Sequence, residues 1–390
     1  MNKTFTPNTP LRVGLVAGEA SGDQLGADLI GALRERFPDV ECFGMAGPRM
    51  RALGCEALAG MEALNVMGLV EVLRHYPRLR RLRGELTDAI LERRPHVVVG
   101  IDVPDFALWI ETRAKQSGVL SVHYVCPQVW AWRAGRIPAI ARAVDLLLAL
   151  FPFEVPFLAR HGILAAHVGH PLADRIPRNP DRPYFRALLG LPTTGPVVAL
   201  MPGSRRQELA RLADLFLATA ATLATSRPDA SFVLGAVNAE AAARLRARCA
   251  EVAPRLPVTV VERQATEALL AADAALVASG TITLEAALCG TPSVVAYRMA
   301  PFSFWWLKRA VKVPHVALPN LLLGQRIFPE FLQGDATPGA LAGALGLWLD
   351  DQPAREACAA LLAGLHGQLA RQAGRRAAEA IESALHGRFG

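Results

Sequence analysis

The sequence predicts an α/β protein built from two consecutive doubly wound, Rossmann-like domains. Three observations carry that expectation. Short apolar, β-branched runs alternate with amphipathic helical stretches along almost the whole chain, which is the pattern of βαβ units. Glycine- and serine-containing turns follow several of the strands, where an open parallel sheet presents its ligand crevice. A stretch rich in Pro, Arg and Asp, from Arg175 to Pro192, separates a first strand–helix series from a second. The domains are expected at residues 1–175 and 176–350, with a helical tail over 351–390. The carboxyl ends of the two sheets are expected to face each other across a cleft.

The first series opens with the strand Leu11–Ala17, followed by the loop Gly18-Glu19-Ala20-Ser21-Gly22-Asp23 and a helix from Gln24 to Phe37. Gly14, Gly18 and Gly22 do not form GxGxxG, so a dinucleotide site is not supported. Glu19, Ser21 and Asp23 are candidates for substrate contact, and Asp23 fits a helix cap equally well. Val40–Met45 is a second strand. His96–Ile101 is a strand ending in Asp102-Val103-Pro104-Asp105. A carboxylate there faces the crevice and suits a general base or a cap, with Asp102 preferred and Asp105 second. Val119–Val125 leads into a loop with Gln128, Trp130, Trp132 and Arg133, able to cover a sugar ring or an acyl chain, or to plug the end of the domain. Leu146–Ala149 and Ala166–Val168 complete this series.

In the second series, Val197–Leu200 runs into Gly203-Ser204-Arg205. The glycine, the amides of a helix start and a guanidinium together make a candidate diphosphate clamp. Phe232–Leu234 and Val258–Val261 are further strands. The strand Ala274–Ala278 is followed by Ser279-Gly280-Thr281, a helix over Ile282–Leu288 and a strand over Ser293–Tyr297. Glycine lets an anion approach the helix start, and Glu285, about one turn on, can reach a ribose hydroxyl. The same residues also fit an ordinary buried turn with a solvated Glu. Asn320 follows Pro319 in a turn.

Two patches combine apolar and basic residues. Val66, Met67, Leu69, Val70 and Leu73 precede Arg74, Arg78, Arg80, Arg81 and Arg83; Phe302, Phe304, Trp305 and Trp306 precede Lys308, Arg309 and Lys312. Either suits an anionic membrane face or acyl chains. A core helix with a solvated basic face, or aromatic packing between domains, accounts for them as well.

Composition narrows the classes. Of the 390 residues 52% are hydrophobic and 20% charged, which excludes disorder. No uninterrupted apolar run of membrane-spanning length occurs, and the first residues lack a secretory apolar core. The six cysteines, with no CxxC pair, fit reduced thiols and give no metal signature. The net charge of +7 favours an anionic partner, but no nucleic-acid-binding motif accompanies it.

Nine stretches, in order, resemble the lipid-A-disaccharide synthase family: AGEASGD (17–23), GIDVPDF (100–106), YVCPQVWAWR (124–133), PFE (152–154), GHPLAD (169–174), PGSRRQE (202–208), ASGTITLE (278–285), YRM (297–299) and LPNLL (318–322). Cys126 and Gln128 stand where serines are common. The resemblance implies a GT-B fold and an inverting transfer from UDP-2,3-diacylglucosamine to 2,3-diacylglucosamine 1-phosphate (lipid X). It also implies a cytoplasmic enzyme associated peripherally with the inner membrane, and allows a homodimer. Asp102 or Asp105 would be the base. Gly203, Ser204, Arg205, Ser279, Gly280, Thr281, Glu285 and Asn320 would hold the UDP donor. Glu19, Ser21, Asp23, Gln128 and Trp132 would line the acceptor side. No DxD motif stands on the donor side, so neither a metal nor a cofactor is expected. A UDP-sugar epimerase or another GT-B transferase is the alternative.

Overall fold

The structure is a computed structural model that describes residues 10–64, 69–299 and 313–389, without the side chains of 69–76 and 388–389. Val66, Met67 and the Phe302–Lys312 patch therefore lie outside the described residues, as do the side chains of Leu69, Val70 and Leu73.

The chain divides into two units, one formed by residues up to Asp174 together with those from Leu369 onward, the other by Arg175–Gln368. Among the described residues the first holds seven strands: β1 (Arg12–Ala17), β2 (Glu41–Ala46), β3 (Glu56–Gly60), β4 (Val97–Ile101), β5 (Leu120–Tyr124), β6 (Leu146–Ala149) and β7 (Ala165–His167). They pair in parallel in the order β3-β2-β1-β4-β5-β6-β7. The second holds β8 (Val197–Met201), β9 (Ser231–Ala236), β10 (Val258–Glu262), β11 (Ala274–Ala278), β12 (Ser293–Tyr297) and β13 (Glu330–Leu332), also parallel, ordered β10-β9-β8-β11-β12-β13. Both sheets are doubly wound. Strand order reverses between β1 and β4 in one and between β8 and β11 in the other, the positions where such sheets bind ligands.

The central strands are covered on both faces, which is why they read as unbroken apolar runs rather than alternations. Every residue of β4, β8 and β11 is buried. The Arg206–Ser226 helix is long and apolar enough to cross a membrane by length and composition, although Arg206, Glu208, Arg211 and Asp214 interrupt its apolar run. Its Leu212, Phe216, Ala220 and Leu223 are buried in the core of the second unit with Leu200, Phe232 and Leu276.

The segment from residue 351, expected as one tail, is divided. Gln352–Leu369 runs to the end of the second unit, and the Ala373–Phe389 helix packs on the Ala20–Arg36 helix of the first. Gly374 permits this approach, since a Cβ there would lie 2.8 Å from the Asp28 carbonyl oxygen. Arg36 pairs with Glu382 and Glu379. Asp174 caps the returning helix, accepting from the Gln372 and Ala373 amides at 2.8 and 2.7 Å.

Candidate active site

In the first unit the loops after β1 and β4 come together at the strand-order reversal. Ala17 pairs with Ile101 at the ends of the two strands. Gly18 and Gly22 carry no side chain because there is no room for one. A Cβ on Gly18 would lie 2.8 Å from Val103 Cγ1, and one on Gly22 3.3 Å from the Ile101 carbonyl oxygen. Exposed Glu19, on this loop, and Ser21, in the first turn of the Ala20–Arg36 helix, therefore stand at a turn closed against the loop of Asp102.

Asp102 (φ 56°) and Val103 (φ 42°) are both left-handed, as are Val125 (φ 82°), one residue past β5, and Arg133 (φ 58°). This conformation is costly for a β-branched side chain, and strain of this kind concentrates at functional sites. The bend at Asp102 is held by its own backbone, whose N–H donates to the Tyr124 carbonyl at 2.9 Å. Asp102 Oδ1 accepts the Val103 N–H at 3.0 Å. Asp105, in the first turn of the following helix, is exposed and paired with Arg136. That engagement favours Asp102 as the free carboxylate.

Asp23 has neither of the tasks expected of it, substrate contact or capping its own helix. The Ala20–Arg36 helix begins four residues earlier than the sequence suggested, which buries Asp23 within its first turn at 2% exposure. Its two oxygens accept the Arg49 and Met50 amides at 2.9 and 3.1 Å. It thus caps the short Pro48–Ala52 helix and is closed to a substrate.

Beyond β5, Gln128 is exposed and Trp132 is half-buried with the Arg133 guanidinium 4.0 Å from its ring centre. The neighbouring Trp130 turns inward. Its indole N–H donates to Glu154 at 3.0 Å, and the Phe151 N–H holds the other Glu154 oxygen at 3.0 Å. Burial pushes the Glu154 carboxyl up to about 7, against the opposing pull of the Phe151 amide, the Trp130 indole and Cys126. A second buried polar group, Glu111 with His123, lies behind Asp102. None of these three was singled out from the sequence, although a glutamate in an apolar helix face and a histidine inside an apolar strand are the signals a buried pair leaves.

In the second unit the loops after β8 and β11 flank the equivalent reversal, with Met201 beside Val277. Gly203 (φ 111°) and Gly280 (φ 138°) adopt backbone conformations that require glycine. The Gly203 loop already grips an anion. Glu208 accepts the Ser204 and Arg205 amides at 3.2 and 3.3 Å and pairs with the Arg205 guanidinium at 3.4 Å. Across the reversal, a Cβ on Gly280 would meet open space. Thr281 is exposed there. Ser279 donates to the Val316 carbonyl at 3.2 Å, and Thr283 to that of Gly280 at 2.7 Å. Glu285 accepts from Thr266 Oγ1; burial, and then the charge of Glu267, hold its carboxyl above the usual range.

Asn320 is also reassigned. It is fully buried, and its amide N–H groups donate to the Phe328 carbonyl at 2.8 Å and to Glu330 at 2.9 Å. Its oxygen accepts the Ile327 and Phe328 amides at 3.0 and 2.9 Å. Both donors are spent on the fold, so none is left for a leaving phosphate. With Glu330, which also accepts the Val316 and Ala317 amides, Asn320 shapes the segment against which Ser279 rests.

Two parallel doubly wound sheets, with conformationally demanding loops at both reversals, define the chain as having the GT-B fold. Solved structures agree: the glycotransferase of kitacinnamycin superposes with a TM-score of 0.64 at 17% identity, covering 96% of this chain and 99% of that one. A UDP-GlcNAc 2-epimerase from Neisseria meningitidis gives 0.61 at 12% identity, covering 97% and 100%. At these identities the likeness concerns the fold alone. The family model for lipid-A-disaccharide synthetase matches residues 13–382. A lipid-A-disaccharide synthase of Pseudomonas aeruginosa (strain UCBPP-PA14) is 49% identical over 371 residues, 95% of this chain and 97% of the relative. One of Alkalilimnicola ehrlichii is 50% identical over 386 residues, 97% and 99%. The chain belongs to the lipid-A-disaccharide synthase family.

Proposed function

We propose that the chain is an inverting hexosyltransferase of lipid A assembly. It joins UDP-2,3-diacylglucosamine to lipid X and releases the β-1,6-linked disaccharide 1-phosphate and UDP. Membership of the family over residues 13–382 carries the reading. The first unit takes the acceptor and the second the donor.

An alcohol is a poor nucleophile near neutral pH, so a carboxylate must take its proton as the new bond forms. Asp102 is that base, supported by its strained, strand-end position and by the engagement of Asp105 with Arg136. The acceptor oxygen attacks the anomeric carbon opposite the departing UDP, and the bond to the β-phosphate oxygen breaks with its electron pair leaving on UDP. Arg205 turns from Glu208 to the diphosphate, and the amides of Ser204, Gly280 and Thr281 share the charge that develops there. Ser279 shapes the turn, and Glu285 holds the ribose. Glu19, Ser21, Gln128 and Trp132 line the acceptor side. The apolar and basic residues Val66–Arg83 seat acyl chains at the inner-membrane surface, on the cytoplasmic side, where both lipid substrates are found.

The test is UDP release from UDP-diacylglucosamine with and without lipid X. Release that requires lipid X, with disaccharide as product, is expected. Formation of a UDP-sugar epimer without lipid X would replace this reading with an isomerase.

A further inference from the structure

We propose that Glu111 and His123 are positioning residues for Asp102, forming a buried pair that holds the bend from which its carboxylate is aimed. The inference rests on the assignment of Asp102 as the base.

Placement comes first. His123 lies in β5 directly beside Gly100 of β4, two residues before Asp102. Asp102 is tied to the same strand through the Tyr124 carbonyl. Glu111 projects from the Pro104–Gln116 helix that the Asp102-Val103 bend launches. Position 100 is glycine because the Glu111 carboxylate and Ala107 fill the space a side chain would need. The pair therefore presses on the backbone that delivers Asp102.

Its chemistry is costly for a merely structural role. Both side chains are fully buried, with His123 Nδ1 and Glu111 Oε1 2.7 Å apart. His123 Nε2 and Glu111 Oε2 have no hydrogen-bond partner among the described residues. A buried ion pair contributes little net stability compared with apolar side chains of the same volume, and a half-satisfied one contributes less. This one sits where the first unit concentrates its left-handed residues, Asp102, Val103 and Val125.

The electrostatics follow from the geometry. Burial pushes the imidazole down, but the charge and hydrogen bond of Glu111, and then the charge of Asp102, more than reverse this and leave it raised. Glu111 and Asp102 are the charged groups that act on His123. Tyr124, next along the strand, faces the opposite side, toward Asp28 and Asp174. Other nearby cations are engaged, Lys115 by Asp145 and Arg136 by Asp105. During transfer the acceptor proton passes to Asp102, while Glu111 keeps the imidazolium charged, so no proton leaves the pair.

The test compares kcat and donor KM for the full chain and for E111Q, H123Q, E111Q/H123Q and D102N, alongside UDP affinity and thermal melting. Loss of either partner loosens the bend that presents Asp102 to the acceptor. The expected result is kcat lowered about 10- to 100-fold, with donor KM and UDP affinity within about twofold. The double variant should be no worse than the weaker single one, because the two residues act as one unit. E111M/H123L, which leaves no unpaired ion, guards against misfolding and should show the same loss of kcat. Unchanged kcat in variants that still bind UDP would refute the proposal while D102N remains inactive. If D102N itself turns over normally, the base assignment fails and this inference falls with it.

Discussion

Gly18 and Val103 are in direct apposition: the space a Cβ would need at position 18 is occupied by the Val103 side chain and by Leu64. The loop after β1 is thereby packed against a valine held in the left-handed region, next to the residue assigned as the base. Gly18→Ala must displace Val103, and overpacking of this kind costs about 1–3 kcal/mol. Turnover should fall by more than the loss of folded protein explains, because Asp102 moves with Val103. Urea unfolding and kcat measured on the same samples check this. Unchanged kcat with normal stability would show that the two loops are mechanically independent.

Asn320 is expected to behave as a structural residue. Asn320→Ala leaves two amides and the Phe328 carbonyl without their Asn320 partner inside the second unit, and removes one of the donors to Glu330. Buried groups left in this way cost on the order of 2–4 kcal/mol together. Denaturant unfolding should register the loss. A variant of normal stability that binds UDP but does not transfer would instead return Asn320 to the leaving-group site.

Glu154 makes stability depend on pH in an unusual direction for a carboxylate. Its folded value of about 7 lies above that of an unfolded glutamate, so between those values the folded state binds the extra proton. The contribution is fully present in acid below the unfolded value, and it is lost as pH rises through about 7. Thermal melting of the protein should show this fall, and Glu154→Gln should flatten it. A variant with the same pH slope as the parent would assign the dependence to other groups.

The organisation of the chain was legible where one local pattern suffices. β6, β11 and β12 were read at their observed bounds because short apolar runs between turn residues have few alternatives, and Gly203 and Gly280 were read because their backbone angles leave only glycine. Two outer strands were not legible. Glu330–Leu332 is too brief to show a period, and Glu56–Gly60 is largely exposed and has no β-branched residue; both exist because β12 and β2 offer them an edge. Side-chain tasks set by distant partners were also hidden. Asp23 serves amides 26 and 27 residues away, and His123 meets a glutamate on a neighbouring helix. Asn320 is the instructive case, since its motif pointed to the site while its four hydrogen bonds hold the framework behind it.

The most direct test of the central assignment is disaccharide formation by Asp102→Asn, measured together with UDP affinity. The substitution keeps size and hydrogen-bonding capacity but removes the proton acceptor. Transfer should drop by about 10²–10⁴-fold while UDP binds as tightly as to the parent, since the donor is assigned to the other unit. Normal transfer, or transfer lost only because UDP no longer binds, would contradict the account.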